Sequence, residues 1–249
     1  MHDLPLLALI GVVLTFLLAG FVKGVIGLGL PTVAVGVLSL FMLPVHAAML
    51  LVIPSFVTNV WQMAAGPSFL ALLRRLWLMM IGVFAGTWLG IGFMTGSRSE
   101  LATAALGAAL TLYAVLGLGK VRFAIPPRAE PWVSPLVGLL TGVVTGATGV
   151  FVIPAVPYLQ ALNMGKEDLI QALGLSFTVS TVALALGLAD GGTFEASYAM
   201  VSLLALAPAL AGMFFGQRIR LRVEPEVFRL CFFLGLLALG IHLGLRPLL

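Results

Sequence analysis

An all-helical protein threaded repeatedly through a lipid bilayer is the fold class that this sequence predicts, on three observations. First, 61% of its 249 residues are hydrophobic and only 9% are charged, with a mean hydropathy of +1.18. Soluble domains carry roughly 25% charged residues. A water-soluble chain of this size has no core large enough to hide so much apolar surface, so lipid is the solvent. Second, the apolar residues come in Leu/Ala/Val/Gly blocks of about 13–23 residues, which is helix length and not the ten-residue alternation of an outer-membrane strand. Third, short charged or turn-rich breaks separate the blocks, and no polar stretch is long enough to build an aqueous domain.

The first block runs from residue 4 to residue 43 and is interrupted only by GFVKGVIGLGLPTV, residues 20–33. Its start, MHDLP, lacks the basic region of a signal peptide, and more apolar sequence follows, so residues 4–22 are read as a retained helix. Later breaks fall at GPSFLALLRR (66–75), TGSRSE (95–100), NMGKED (163–168), ADGGTFE (189–195) and QRIRLRVEPE (217–226). KVRFAIPPRAEP (120–131) holds three prolines and three basic residues at the midpoint of the chain. It divides the chain into a first repeat, 1–122, a cytoplasmic linker, 123–131, and a second repeat, 132–249.

Whether 4–43 and 132–162 each cross once or twice is decided by the placement of Lys and Arg, which collect on the cytoplasmic side. Eight crossings put six basic residues on each side, with Arg74, Arg75, Lys120, Arg122, Arg128 and Arg246 together. Ten crossings put eleven on one side and leave only Arg98 and Arg246 on the other, together with the acidic loop of Asp190 and Glu195. Ten segments are therefore preferred, with both termini outside the cytoplasm; eight crossings with parallel repeats are the alternative.

The interruption recurs. Gly20-x3-Gly24-x2-Gly27 matches Gly142-x3-Gly146-x2-Gly149, and Pro31 and Pro154 follow them. Ser55-Phe56 then matches Ser176-Phe177, Ala85-Gly86-x3-Gly90 matches Ala211-Gly212-x3-Gly216, and Leu116-Gly117 matches Leu239-Gly240. Four matches in one order predict a duplication. Five segments per half is an odd number, so the halves would insert in opposite orientations, the inverted-repeat plan of many secondary transporters.

The segments after the glycines, 28–43 and 150–162, would rise only about 24 Å and about 20 Å as helix, against a hydrocarbon core of about 30 Å. They are expected to be broken, which is tolerated only inside protein or beside a cavity. A proline suits a helix's first turn, and glycine lets backbone amides approach a ligand. Two helix N-termini with free amides, meeting near the membrane midplane, would form a site for a small anion. The competing reading is that the glycines serve only tight helix packing; it is preferred for Ala85-Gly86-x3-Gly90 and its match.

In these motifs the chain resembles the sulfite exporter TauE/SafE family of bacterial membrane proteins. That family has two related halves, each with an early glycine-rich motif, a proline-led short segment, a turn, and a helix beginning near Ala-x-x-x-Ser. The copies here are GVIGLGLPTVAVGVLSLFMLPVHAAMLLVIPSF and GATGVFVIPAVPYLQALNMGKEDLIQALGLSF. GLG and TGV stand where the family commonly has consecutive glycines. The resemblance covers nearly the whole chain. It implies export of small sulfur-containing anions, such as sulfite or organosulfonates, across the bacterial inner membrane.

The candidate substrate-binding residues are Lys23, Gly24, Gly27 and Gly29 in the first motif and Thr145, Gly146, Thr148 and Gly149 in the second. Asn59 and Gln62, three apart on one helix face, and Ser176, Thr178 and Ser180 on the matching helix complete the set. Lys23 would offer a point charge to an anion; otherwise it is an anchor whose ammonium reaches the interface. Ser and Thr can instead satisfy themselves on the preceding turn.

His46 and His242 have no metal-ligand company, and the single Cys231 allows no disulfide within the chain. No span interior holds Asp or Glu, so a carboxylate proton relay is absent. No catalytic constellation, metal site, cofactor motif or nucleic-acid signature is found. A transporter is the reading reached. An anion channel on the same scaffold and a non-catalytic membrane subunit are its alternatives.

Overall fold

A computed structural model of the protein describes residues 6–96, 99–120, 124–191, 196–220, 222 and 224–246. The stretch MHDLP and the charges Arg98, Arg122 and Glu195, used above to assign sides, lie outside the described residues. Among those residues the chain forms ten helices and no strand. They are α1 (Leu6–Ile26), α2 (Leu30–Leu38), α3 (Pro44–Ala64), α4 (Phe69–Thr95), α5 (Ser99–Leu118), α6 (Glu130–Thr148), α7 (Ala155–Ala161), α8 (Lys166–Asp190), α9 (Ala196–Ile219) and α10 (Pro225–Leu245). Eight are long and apolar enough to cross a membrane. The exceptions are α2 and α7, with nine and seven residues, which follow the two glycine motifs as the sequence predicts.

The breaks have a local cause. Gly27 and Gly29 end α1 with φ of +80° and +102°, and Gly149 ends α6 with φ of +75°. Residues with a Cβ are strained in that region, so glycine stops the helix where leucine would continue it. Pro31 occupies the first turn of α2, where no intrahelical N–H is missed, and Pro154 caps α7.

Both short helices lie on strands of chain that travel from one end of the bundle to the other. Ile26 and Leu28 share a cavity with Arg229 near the start of α10, whereas the carbonyls of Ser39 and Leu40 accept hydrogen bonds from Arg246 at its end. Likewise Gly149 sits against Ala48 near the start of α3, while Gln160 lies beside Lys120 and Glu226 at the opposite end.

Glycine-lined seams hold the long helices together. Along α4 and α6, Gly82, Gly86 and Gly90 face Gly138, Gly142 and Gly146, in parallel register. Along α1 and α9, Gly20 and Gly24 face Gly212 and Gly216, also in parallel. A Cβ added at Gly86 would lie 2.9 Å from the Val143 nitrogen, and one at Gly146 would lie 2.6 Å from the Ile91 nitrogen. Lipid tails are as apolar as leucine, so helices associate here through close backbone packing and not through the hydrophobic effect. By contrast, α3 and α8 cross antiparallel, with Gln62 at Ile170 and Ser55 at Thr181. α5 and α10 are antiparallel too, with Gly107 at Gly244 and Gly117 at Phe233. Phe16, Phe151 and Phe177 fill the centre, the last two edge to face at 5.3 Å. Trp77, Trp88, Leu89 and Phe93 point outward from α4.

Candidate anion-binding site

Lys23 stands on the last turn of α1, and its side chain turns inward. It is only 4% exposed, so it does not anchor the helix at an interface. Its ammonium donates to Thr58 Oγ1 at 3.2 Å and to Asn59 Oδ1, both on α3. Asn59 Nδ2 donates to Ser55 Oγ at 2.9 Å, and Ser55 Oγ lies 3.0 Å from Thr181 Oγ1 on α8. Thr181 and Thr58 close the chain onto the carbonyls of Phe177 and Pro54, each at 2.7 Å. A polar thread therefore runs from α1 through α3 into α8, across apolar packing.

No carboxylate of the described residues pairs with Lys23; their two ion pairs, Arg75–Glu130 and Lys120–Glu226, lie elsewhere. An ammonium carries three donors, and the thread uses two. A buried charge without an opposite charge is costly, and only neutral oxygens meet this one. Four residues on along the chain, a Cβ at Gly27 would meet nothing within 4 Å, so the backbone there borders open space. Ser176 and Ser180, fully buried and one turn apart on α8, have hydroxyls with no hydrogen-bond partner, and so does Thr141 on α6.

The other predicted residues divide by geometry. Thr145, Thr148 and Thr178 each donate to the carbonyl of the preceding turn at 2.7 Å, and Thr148 also accepts from the Val150 amide. Gln62 donates to the Ile170 carbonyl at 2.9 Å and ties the end of α3 to the start of α8. Gly29 faces Val22 and Phe232.

The packing bears on two of these expectations. Gly24 and Gly146 lie inside their helices and press on the backbones of α9 and α4, so packing, not a ligand, explains their missing side chains. The glycines that stop α1 and α6 lie apart, Gly149 against Val35, about 9 Å along α2 from Gly29 by helical rise, while Val156 and Pro157 in the first turn of α7 share a cavity with Ile26 and Leu28. The unwound residues 150–152 are apolar and fully buried. The polar thread around Lys23 is built from side chains of α1, α3 and α8.

Sequence reading missed two buried linkers. Pro54 has no N–H for the Leu50 carbonyl, and Ser202 of α9 fills that gap, donating to Leu50 O at 2.8 Å and accepting from Ile53 N at 3.2 Å. Proline in a helix was the available signal. Gln171 bonds the carbonyls of Met63 and Gly66 and the amide of Ser68, closing the α3–α4 turn. His46 stacks on Tyr198 at 4.9 Å, and no cluster of metal-binding side chains occurs among the described residues.

Fold and site together define a polytopic helical membrane protein with a buried lysine among its helices. A family model described as sulfite exporter TauE/SafE matches residues 12–243, and the chain belongs to that family. Membership places it in a family of anion-exporting transporters. No curated protein and no solved structure shows significant similarity to it.

Proposed function

We propose that this protein is a secondary transporter that exports a small sulfur-containing oxyanion, sulfite or an organosulfonate, across the bacterial inner membrane. The observation that carries this reading is the family match over residues 12–243. The substrate is held at Lys23, which commits two of its three donors to Thr58 and Asn59, and four residues on the backbone at Gly27 borders open space. Asn59 and Thr58 orient the ammonium, and the unpaired hydroxyls of Ser176 and Ser180 supply further donors. An anion leaving a negative interior gains about 2.3 kcal/mol per 100 mV, enough to drive export without a carboxylate relay.

We propose further that the two halves are inverted repeats of five helices. In that arrangement corresponding helices run in opposite directions, as the antiparallel pairs α3/α8 and α5/α10 do, and α1/α9 and α4/α6 run in parallel. Duplicate glycine motifs would then pack crosswise, the early motif of each half on the late motif of the other.

The test is counterflow in proteoliposomes loaded with sulfite, short organosulfonates, sulfate and carboxylates in turn. Saturable flux of the sulfur anions, accelerated by the same anion on the far side, is the expected result. Linear flux without acceleration identifies a channel, and no flux of any sulfur anion removes the substrate assignment.

A further inference from the structure

We propose that the groove between α5, α7 and α10 is a second anion site, shaped for an oxyanion head carrying an apolar body. Two cavities of about 460 Å³ and about 390 Å³ share Gly117, Pro157, Gln160, Arg229 and Phe233 as walls, and so form one continuous groove. The larger opens beside Lys120 and Glu226, which pair with each other at 3.4 Å. The smaller runs inward to Ile26 and Leu28, which flank the break after α1, and has Lys166 and Arg220 on its wall. No carboxylate among the described residues lies within ion-pair distance of Lys166, Arg220 or Arg229. Three unpaired cations thus stand around one cavity, in a chain where charge is scarce.

Arg229 belongs to both cavities, and its head is fixed. It donates to the Gly117 carbonyl at 3.1 Å and its guanidinium lies 5.5 Å from the centre of the Phe233 ring. One of five N–H groups is used there, and the rest of the fork remains for an oxyanion, which guanidinium binds in bidentate fashion. The opposite character is supplied by Ile26, Leu28, Leu116, Val156 and Phe233, which line the inner limb. A cavity of this size is typical of sites for small organic molecules, whose orientation a few polar groups fix. A bare inorganic anion would leave the apolar limb empty, whereas a sulfonate, phosphate or carboxylate with a short hydrocarbon body matches both parts. Such chemistry occurs in a free organic anion and in a phospholipid. The groove shares no residue with the Lys23 site, so it stands whether or not the transport reading above holds.

The test uses the full-length protein in nanodiscs of zwitterionic lipid, with hexanesulfonate and inorganic sulfate as probes and empty nanodiscs as the blank. The expected result is that hexanesulfonate binds about tenfold tighter than sulfate, and that Arg229→Gln weakens it about tenfold. Arg229→Lys, which keeps the charge but not the fork, should fall between. Phe233→Ala should abolish the preference for hexanesulfonate, and the component of hexanesulfonate binding that Arg229→Gln weakens should persist in Lys23→Met. Equal affinity for the two probes, or an Arg229→Gln protein that elutes as the wild type does and binds normally, overturns the proposal. Loss of that Arg229-dependent component in Lys23→Met also overturns it, because the two sites would then be one. Repeating the titration with phosphatidylglycerol in the nanodisc identifies the source: competition supports a lipid occupant, and undiminished binding supports a free solute.

Discussion

Replacing Lys23 with methionine separates anion binding from architecture. The side chain is nearly isosteric and fills the same buried space, but carries no charge. Two unit charges 4 Å apart attract by about 4 kcal/mol at an effective dielectric of about 20. Part of that is lost in desolvating the anion and drawing the ammonium from Asn59 and Thr58, so a net loss of about 2 kcal/mol is expected, about thirtyfold in the KM for export. Stability should behave differently. Lys23→Met removes the buried charge but leaves Asn59 Oδ1 unpaired, and should cost only about 1–3 kcal/mol. Asn59→Leu instead leaves the ammonium with Thr58 alone and should cost about 3–5 kcal/mol. The double variant should then regain much of what Asn59→Leu loses. Proteoliposome flux against substrate concentration, and thermal unfolding of the four detergent-solubilised proteins, measure both effects. An unchanged KM in Lys23→Met, with stability lowered as in Asn59→Leu, would show that Lys23 only ties α1 to α3.

Three further outcomes follow from the packing and topology. Gly86→Leu should prevent assembly, because its side chain must enter the α6 backbone, whereas Gly92→Leu should be tolerated because nothing lies within 4 Å of it; the yield of monodisperse protein distinguishes them. Ser202→Ala should cost about 1–3 kcal/mol by orphaning the Leu50 carbonyl beside Pro54, read as a lowered melting temperature with unchanged KM. In a Cys231→Ser background, cysteines at Arg74 and Arg246 should react with impermeant reagents from opposite sides; labelling from one side would restore the eight-crossing arrangement.

Much of this molecule was decided by composition and spacing alone. A charged fraction of 9% requires lipid as the solvent, and the glycine and proline positions mark where helices stop, because those residues act through their own backbone. That is why the breaks after α1 and α6, and the shortness of α2 and α7, were readable without any knowledge of neighbours. The identity of those neighbours was not. Gly24 and Gly27 belong to one motif, yet one packs on α9 and the other borders open space, since α1 stops at Ile26 and Gly27, with φ of +80°, has left the helix. Lys23 and Asn59 are 36 residues apart and meet only because α1 and α3 are brought side by side. Only the tertiary structure makes an interfacial lysine into a buried one, because a side chain's environment is set by the helices around it and not by its position in the chain.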